Sequence, residues 1–162
     1  MVRKILVVVD DRPVTQSAID QAIEMAQAHR ADIFFLCVLP HFAYPGLDML
    51  SVVYVTAEDL RATSAEEALR LLAAASAWAE RCGIYSQQAT STAADAAQAV
   101  ADAAVKRHCD LIVVGNDEQN AVVRLINGSI VPGLISKSTV PVLVCRDRSS
   151  SAKTNSRLHR PS

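Results

Sequence analysis

An α/β fold with one open, parallel sheet and helices on both of its faces is predicted by three features of the sequence. Short β-branched segments recur with almost no polar alternation, as expected of strands buried on both faces. Amphipathic segments with helical spacing separate them, which implies right-handed crossovers between parallel strands. Apolar residues make up 51% of the chain but aromatic residues only 4%, so the core must be aliphatic and rich in alanine.

The first three elements are predicted to be a strand, a helix and a second strand. Residues 4–10 form a β-branched run, and residues 33–39 form another, which Pro40 ends. Between them, residues 14–29 carry one apolar stripe at a spacing of 3.6 residues. That stripe consists of Ala18, Ile19, Ala22, Ile23 and Ala26.

A long connection and a helix are predicted next. Residues 41–63 have only weak periodicity, and long loops in compact domains are usually lids, binding loops or mobile segments. Ser64 and Glu67 have the spacing of a capping box, so the helix is predicted to begin at Ser64 and to end at Gly83. Its inward face is predicted to consist of Leu69, Leu72, Ala73, Ser76, Ala79 and Cys82.

The second half of the chain is predicted to add three strands and two helices. Residues 84–90 form a short, polar strand that suits the edge of a sheet. A helix over residues 94–108 is predicted to bury Ala97, Val100, Ala101, Ala104 and Val105. The remaining elements are a strand over 110–115, a helix over 129–138 with Pro132 in its first turn, and a strand over 141–146.

The apolar pattern stops shortly before the C-terminus. Residues 1–147 are therefore expected to form one domain. Residues 148–162 are polar and mildly basic, and they have no apolar period. We expect a disordered tail there; a docking or charge-anchoring tail is the alternative.

Composition excludes several classes of protein. The net charge of −1 gives no general argument for nucleic-acid or membrane binding, and no apolar run is long enough to span a bilayer. The N-terminus enters a strand directly and does not have the form of a secretory signal. The 4 cysteines are scattered, and no set of His, Cys and carboxylate residues has metal-ligand spacing. We therefore expect a cytoplasmic protein with reduced cysteines and without a metal site.

Candidate binding residues follow from the predicted topology. Ligands of such sheets bind beyond the carboxyl ends of the strands, where the strand order reverses. Asp10, Val38 and Gly115 occupy such ends. Gly128 and Ser129 follow at the start of a helix, where free N–H groups and a hydroxyl can hold an anion. The alternative for Gly128 and Ser129 is a simple N-cap behind a turn glycine.

With these residues placed, the sequence resembles the universal stress protein family over residues 1 to about 146. Five motifs in order carry the resemblance: Lys-Ile-Leu-Val-Val-Val-Asp, Cys-Val-Leu-Pro, Asp-Leu-Ile-Val-Val-Gly, Gly-Ser and Val-Pro-Val-Leu-Val. The resemblance implies a five-stranded sheet of order 3-2-1-4-5, similar to the adenine nucleotide alpha hydrolase fold. It also implies frequent dimerisation through the fifth strand.

The resemblance further implies a nucleotide site. Nucleotide-binding members carry a glycine, two residues, a glycine, nine residues, and then a glycine with serine or threonine. Gly115, Gly128 and Ser129 match this pattern with its full spacing, but the middle glycine is Glu118. The implied site places Asp10 beside the ribose or base and lets the Val38 backbone meet an adenine. Val9, Val114 and Ile130 are implied by position only.

Some of these assignments have a purely structural alternative. Asp10 also reads as a carboxylate that ends a strand, and Val38 as plain core. Glu118 adds a Cβ and a negative charge, and at about 5 Å from a phosphate the repulsion is roughly 3 kcal/mol at an effective dielectric near 20. A carboxylate turned into solvent, or one that shares Mg²⁺ with the phosphates, would reduce this penalty.

The expected function is therefore an adenine-nucleotide (ATP) binding module of a stress response, with at most slow hydrolysis. The alternative is a dimeric interaction protein whose cleft Glu118 and residues 41–63 close. A third reading is an enzyme on the same fold, with nucleotidyl-transfer or thiol-dependent activity. No nucleophile elbow or P-loop lysine supports it, and Lys137 lies two turns into its helix and faces elsewhere.

An exposed apolar strand over 141–146 would be an aggregation liability, so we expect a homodimer through it.

Overall fold

Five parallel strands form one sheet in the order β3-β2-β1-β4-β5, which confirms the predicted fold class and strand order. The computed structural model describes residues 1–40, 57–116 and 130–147. The strands are β1 (Lys4–Val8), β2 (Asp32–Pro40), β3 (Ser86–Ala93), β4 (Leu111–Gly115) and β5 (Val142–Cys145). The helices are α1 (Val14–His29), α2 (Ala57–Arg81), α3 (Ala96–Lys106) and α4 (Ile130–Lys137).

Both faces of the sheet are buried, which explains the lack of polar alternation in its strands. Ile5 and Val7 of β1 point to the face covered by α1 and α2. Leu6 and Val8 point to the opposite face, which α3 and α4 cover. In β2 the adjacent Phe34 and Phe35 likewise go to opposite faces, at 2% and 0% exposure. Alternate side chains thus enter two separate cores, and both cores demand apolar residues.

The strand order reverses between β1 and β4, at the centre of the sheet. Ile5 is paired with Ile33 of β2 on one side and with Leu111 of β4 on the other. The chain moves outward to β2 and β3, and later returns to the other side of β1 through β4. The carboxyl ends of β1 and β4 therefore lie next to each other, as a topological switch point requires.

The predicted start of α2 at Ser64 is wrong, because the helix already begins at Ala57. Ser64 and Glu67 therefore lie inside the helix and do not cap it. The preceding residues include alanine, glutamate, leucine and arginine, which are strong helix formers. One serine costs too little helix propensity to stop propagation through such a segment.

The inward face of α2 is also offset from the prediction. Leu69 is 56% exposed and Ala73 is exposed, whereas Leu72 and Ala79 are buried as predicted. The buried stripe consists of Ala68, Leu72, Ala75 and Ala79. Three of these four are alanines, and small side chains allow a helix axis to lie close to the sheet.

Smaller differences occur at other element ends. The β3 strand begins at Ser86 and occupies one edge of the sheet, as its polar sequence predicts. Gly83 has φ +75°, in the left-handed region expected of a residue that ends a helix. Asp95 caps α3 by accepting the Gln98 N–H at 3.0 Å. Val105 was predicted to be buried but is 56% exposed, since α3 turns this side of its last turn to solvent.

Several predictions fall on residues that the structure does not describe. They concern the connection up to residue 56, the loop position Glu118, the pair Gly128 and Ser129, and the tail from residue 148. Of the helices that the structure does describe, none combines the length and apolar character needed to cross a lipid bilayer.

Candidate functional site

The candidate site lies where the ends of β1 and β4 meet. Val7 pairs with Val113 near the last register position of these strands. Beyond it, the Val9 N–H donates to the Leu36 carbonyl at 2.8 Å, which extends the pairing of β1 with β2. On the other side, the Asn116 N–H donates to the Cys145 carbonyl at 2.7 Å. The strand ends at this edge are therefore held in register by their neighbours.

Asp10 follows β1 and accepts four hydrogen bonds. Its Oδ1 accepts the backbone N–H of Arg12 at 3.0 Å and the hydroxyl of Thr15. Its Oδ2 accepts Nε of Arg12 at 2.8 Å and Nη2 of Arg12 at 2.6 Å. An ionised carboxylate offers about four lone-pair positions, so these contacts fill the hydrogen-bonding capacity of Asp10.

Arg12 links the two central strands. Besides its ion pair with Asp10, its Nη2 donates to the carbonyl oxygen of Gly115 at 3.2 Å. The side chains of Arg12 and Asp10 are 30% and 29% exposed, so the pair is open to solvent but partly sheltered. A guanidinium thus stands at the point where the strand order reverses.

Sequence reasoning did not identify Arg12 and Thr15 as part of this site. One local signal was available, because an aspartate often accepts the N–H of the second following residue in an Asx turn. Asp10 and Arg12 have this spacing, and Pro13 marks the turn. The Thr15 contact and the reach of Arg12 to Gly115 have no comparable sequence signal, since they depend on how α1 is placed against β4.

Gly115 has a structural role of its own. A Cβ at this position would lie 2.8 Å from Cγ1 of Val14 and 3.1 Å from the Val14 carbonyl oxygen. Val14 is the first residue of α1 and is only 1% exposed, so it has little room to move. The close approach of α1 to the end of β4 therefore requires a glycine here, whether or not a ligand binds.

The remaining candidate residues are mainly core residues. Val9 and Val114 are 2% and 0% exposed as whole residues, so neither their side chains nor their backbone atoms offer appreciable open surface to a ligand. Val38 and Ile130 are half-buried, and both pack on the face that α3 and α4 cover. Val114 lies in that same cluster, so Val38, Val114 and Ile130 share one side of the sheet.

The three buried cysteines, Cys37, Cys109 and Cys145, do not favour thiol chemistry. Burial raises the pKa of the Cys37 thiol to about 11, and the nearby carboxylates of Asp10 and Asp11 add to the effect. Burial also raises the pKa of Cys109 to about 11, and it raises the pKa of Cys145. These thiols stay protonated at neutral pH, and a protonated thiol is a poor nucleophile.

One cavity among the described residues lies away from the switch point. It has a volume of about 340 Å³ and lies between α1 and β5. Its wall carries the carboxylates of Asp20 and Glu24 together with the guanidinium of Arg146. None of the predicted site residues lines it, so this cavity is not the predicted site.

Two further observations limit the chemistry of the described residues. Lys137 forms an ion pair with Asp95 at the start of α3, so its charge is already partnered. Within the part of the chain that the structure covers, no group of three His, Cys, Asp or Glu residues is arranged to hold a metal ion.

Comparison of the sequence and fold with those of known proteins identifies relatives of this chain. The family model described as "Universal stress protein family" matches residues 1–146. Universal stress protein YxiE of Bacillus subtilis is 25% identical over 149 residues, which cover 90% of this chain and 100% of YxiE.

Two solved structures have a similar fold. Universal stress protein UspA from Lactobacillus plantarum is 25% identical, with a TM-score of 0.72, covering 89% of this chain and 97% of that one. The universal stress protein from Archaeoglobus fulgidus in complex with dAMP is 20% identical, with a TM-score of 0.62, covering 90% of this chain and 99% of that one.

Proposed function

Because the chain belongs to the universal stress protein family, we propose that it binds an adenine nucleotide at the carboxyl ends of β1 and β4. The nucleotide we favour is ATP, with or without Mg²⁺, and the protein acts as a cytoplasmic stress-response module with at most slow hydrolysis. The observation that carries the proposal is the Asp10–Arg12 pair at the switch point of a fold whose archaeal relative was solved with dAMP.

The chemistry of the described residues suits such a ligand. Asp10 offers a carboxylate that can accept hydrogen bonds from ribose hydroxyls, and Arg12 offers a guanidinium that can pair with phosphate. Val38 lies at the end of β2, where backbone groups can meet an adenine ring. Gly115 ends β4, and its carbonyl oxygen accepts a hydrogen bond from Arg12 at this edge of the sheet.

The phosphate end of the proposed site depends on sequence spacing alone. Gly115, Gly128 and Ser129 keep the family spacing, and the helix that follows Ser129 begins at Ile130. Free N–H groups at a helix start attract phosphate. Glu118 opposes this attraction with its charge, so the proposal requires its carboxylate to turn away or to share a cation with the phosphates.

A second candidate function is a dimeric interaction protein without a nucleotide. The observation that favours it is the saturation of Asp10, since a ligand must displace an internal partner before it can use that carboxylate. In either case we propose a homodimer through β5. This strand is the second edge of the sheet, and Val142, Leu143 and Val144 are only half-buried there.

A thermal-shift titration with Mg-ATP separates the two candidates. We expect the native protein to melt at a higher temperature with Mg-ATP, and we expect Gly128→Val to abolish the shift because its side chain fills the phosphate position. Glu118→Gln removes the charge but keeps the Cβ, whereas Glu118→Gly removes both. A shift that appears only in the Glu118 variants would favour the non-binding protein.

A further inference from the structure

Asp10 and Arg12 satisfy each other at the position where the proposed ligand must bind. Oδ1 of Asp10 is held by the Arg12 backbone N–H and by the hydroxyl of Thr15, whose residue is 4% exposed. Oδ2 is held by Nε and Nη2 of the Arg12 side chain. The two oxygens therefore differ, because Oδ1 has fixed partners and Oδ2 has a partner on a long side chain that can move.

Each group of the pair limits what the other can offer to a ligand. A hydroxyl has no open lone pair on Asp10 while the guanidinium stays in place. An anion meets a guanidinium whose charge Asp10 already neutralises. A ligand with only hydroxyls would have to separate the pair and leave Arg12 without its carboxylate in a partly sheltered site, which costs free energy.

A ligand that carries both hydroxyls and a phosphate avoids this cost. Its phosphate can take the guanidinium in the bidentate geometry that arginine favours, and a hydroxyl can take the vacated Oδ2. Oδ1 keeps its bonds to Thr15 and to the Arg12 backbone throughout, so the carboxylate stays in position. The Gly115 carbonyl provides Nη2 with a second acceptor beside β4 during the exchange.

We propose that Arg12 is a specificity-determining residue that makes this site select phosphorylated nucleosides over nucleosides. The inference rests on the proposed function and adds a physical reason why the site would prefer a phosphorylated nucleoside to a nucleoside. Arg12 acts by occupying Oδ2 until a phosphate draws its guanidinium away. A purely structural ion pair would contribute to stability but would leave the preference among ligands unchanged.

The test compares the dissociation constants of AMP and adenosine, measured by isothermal titration calorimetry on the full-length chain. Arg12→Met removes the charge at similar length, and Arg12→Lys keeps the charge but loses the two-pronged contact. We expect the adenosine-to-AMP ratio of dissociation constants to fall about tenfold or more in Arg12→Met, as loss of a charged hydrogen bond implies. We expect a smaller fall in Arg12→Lys.

Arg81→Met is the matched control, because Arg81 stacks over the Trp78 ring 5.0 Å away, on α2 and far from this pair in the sequence. The adenosine-to-AMP ratio of dissociation constants in Arg81→Met should equal that of the native protein. An unchanged ratio in both Arg12 variants, with AMP still bound, would overturn this inference and leave the proposed function standing. Failure of the native protein to bind AMP, ATP and adenosine would overturn both. Should Arg12→Met not fold, Arg12→Lys alone decides the outcome.

Discussion

Arg12 donates a hydrogen bond from Nη2 to the carbonyl oxygen of Gly115 at 3.2 Å, and this contact joins the turn after β1 to the end of β4. The same glycine also lies against Val14, the first residue of α1. Two independent contacts thus hold the start of α1 against the end of β4. The shape of the candidate site therefore depends on these contacts between the start of α1 and the end of β4.

The first prediction concerns Gly115→Ala. The added Cβ would lie 2.8 Å from Cγ1 of Val14, and overpacking of this kind costs about 1–3 kcal/mol of unfolding free energy. Urea denaturation monitored by circular dichroism measures the change. Val14→Ala and the double variant complete a mutant cycle, in which the double variant should be more stable than the sum of the single losses predicts. Strict additivity would show that Val14 is not the obstacle.

The second prediction concerns Thr15→Val, which removes one hydrogen bond to Asp10 at nearly constant volume. Thr15 is 4% exposed, so the lost bond is not replaced by water. We expect a loss of about 1–2 kcal/mol in unfolding free energy. Thr15→Ser keeps the hydroxyl and should lose less. Equal stability of Thr15→Val and the native protein would show that the hydroxyl does not hold Asp10.

Much of the fold could be predicted from the sequence because burial on both faces leaves a strong signature. The β1, β2 and β4 strands read as apolar runs, and the resemblance to a known family supplied their order. The α2 helix was predicted less well. Its true stripe includes Ala68 and Ala75, and small residues on an alanine-rich helix do not distinguish the inward face from the outward one.

The candidate site was predicted only in part. Asp10 and Gly115 follow directly from the ends of buried strands, so their positions could be read from the sequence. The Thr15 contact and the reach of Arg12 to Gly115 could not, since they depend on how tightly the turn after β1 folds and how closely α1 approaches β4. Gly115 also shows that one residue can satisfy a family pattern and a packing requirement at once.

The third prediction concerns cysteine reactivity. Burial raises the pKa of Cys37 and Cys109 to about 11 and raises the pKa of Cys145, whereas Cys82 is half-buried at the end of α2. We expect Cys82 to react first with Ellman's reagent in the native protein, and all four thiols to react after unfolding in urea. Cys82→Ser should remove the fast phase. A fast phase that persists in Cys82→Ser would contradict this assignment.

The fourth prediction concerns acid stability. Asp110 Oδ2 accepts the backbone N–H of Arg3 at 2.7 Å and that of Lys4 at 3.0 Å, and these bonds hold the pKa of its carboxyl below the ordinary value. Because the pKa is lower in the folded chain, the stabilisation is complete above the unfolded value of about 3.9 and is lost as the pH falls through the folded value.

Asp110→Asn should therefore reduce stability at neutral pH and leave a smaller further loss on acidification. Urea denaturation at a series of pH values from neutral to about pH 3 measures this difference. Asp102→Asn is the control, because Asp102 is exposed on α3 and accepts the Gln98 side chain at 2.8 Å instead of a backbone N–H of β1. Parallel pH profiles for the native protein and Asp110→Asn would contradict the assignment.

Amide chemical shifts of the ¹⁵N-labelled protein during titration with Mg-ATP test the central claim most directly. Ligand binding at the switch point predicts saturable shifts at Asp10, Arg12, Val38, Gly115 and Asn116. Amides at the amino ends of the strands, such as those of Tyr85 and Ser86 before and at the start of β3, should keep their chemical shifts. Shifts confined to residues outside the β1–β4 junction, or no saturable shift at all, would contradict the account.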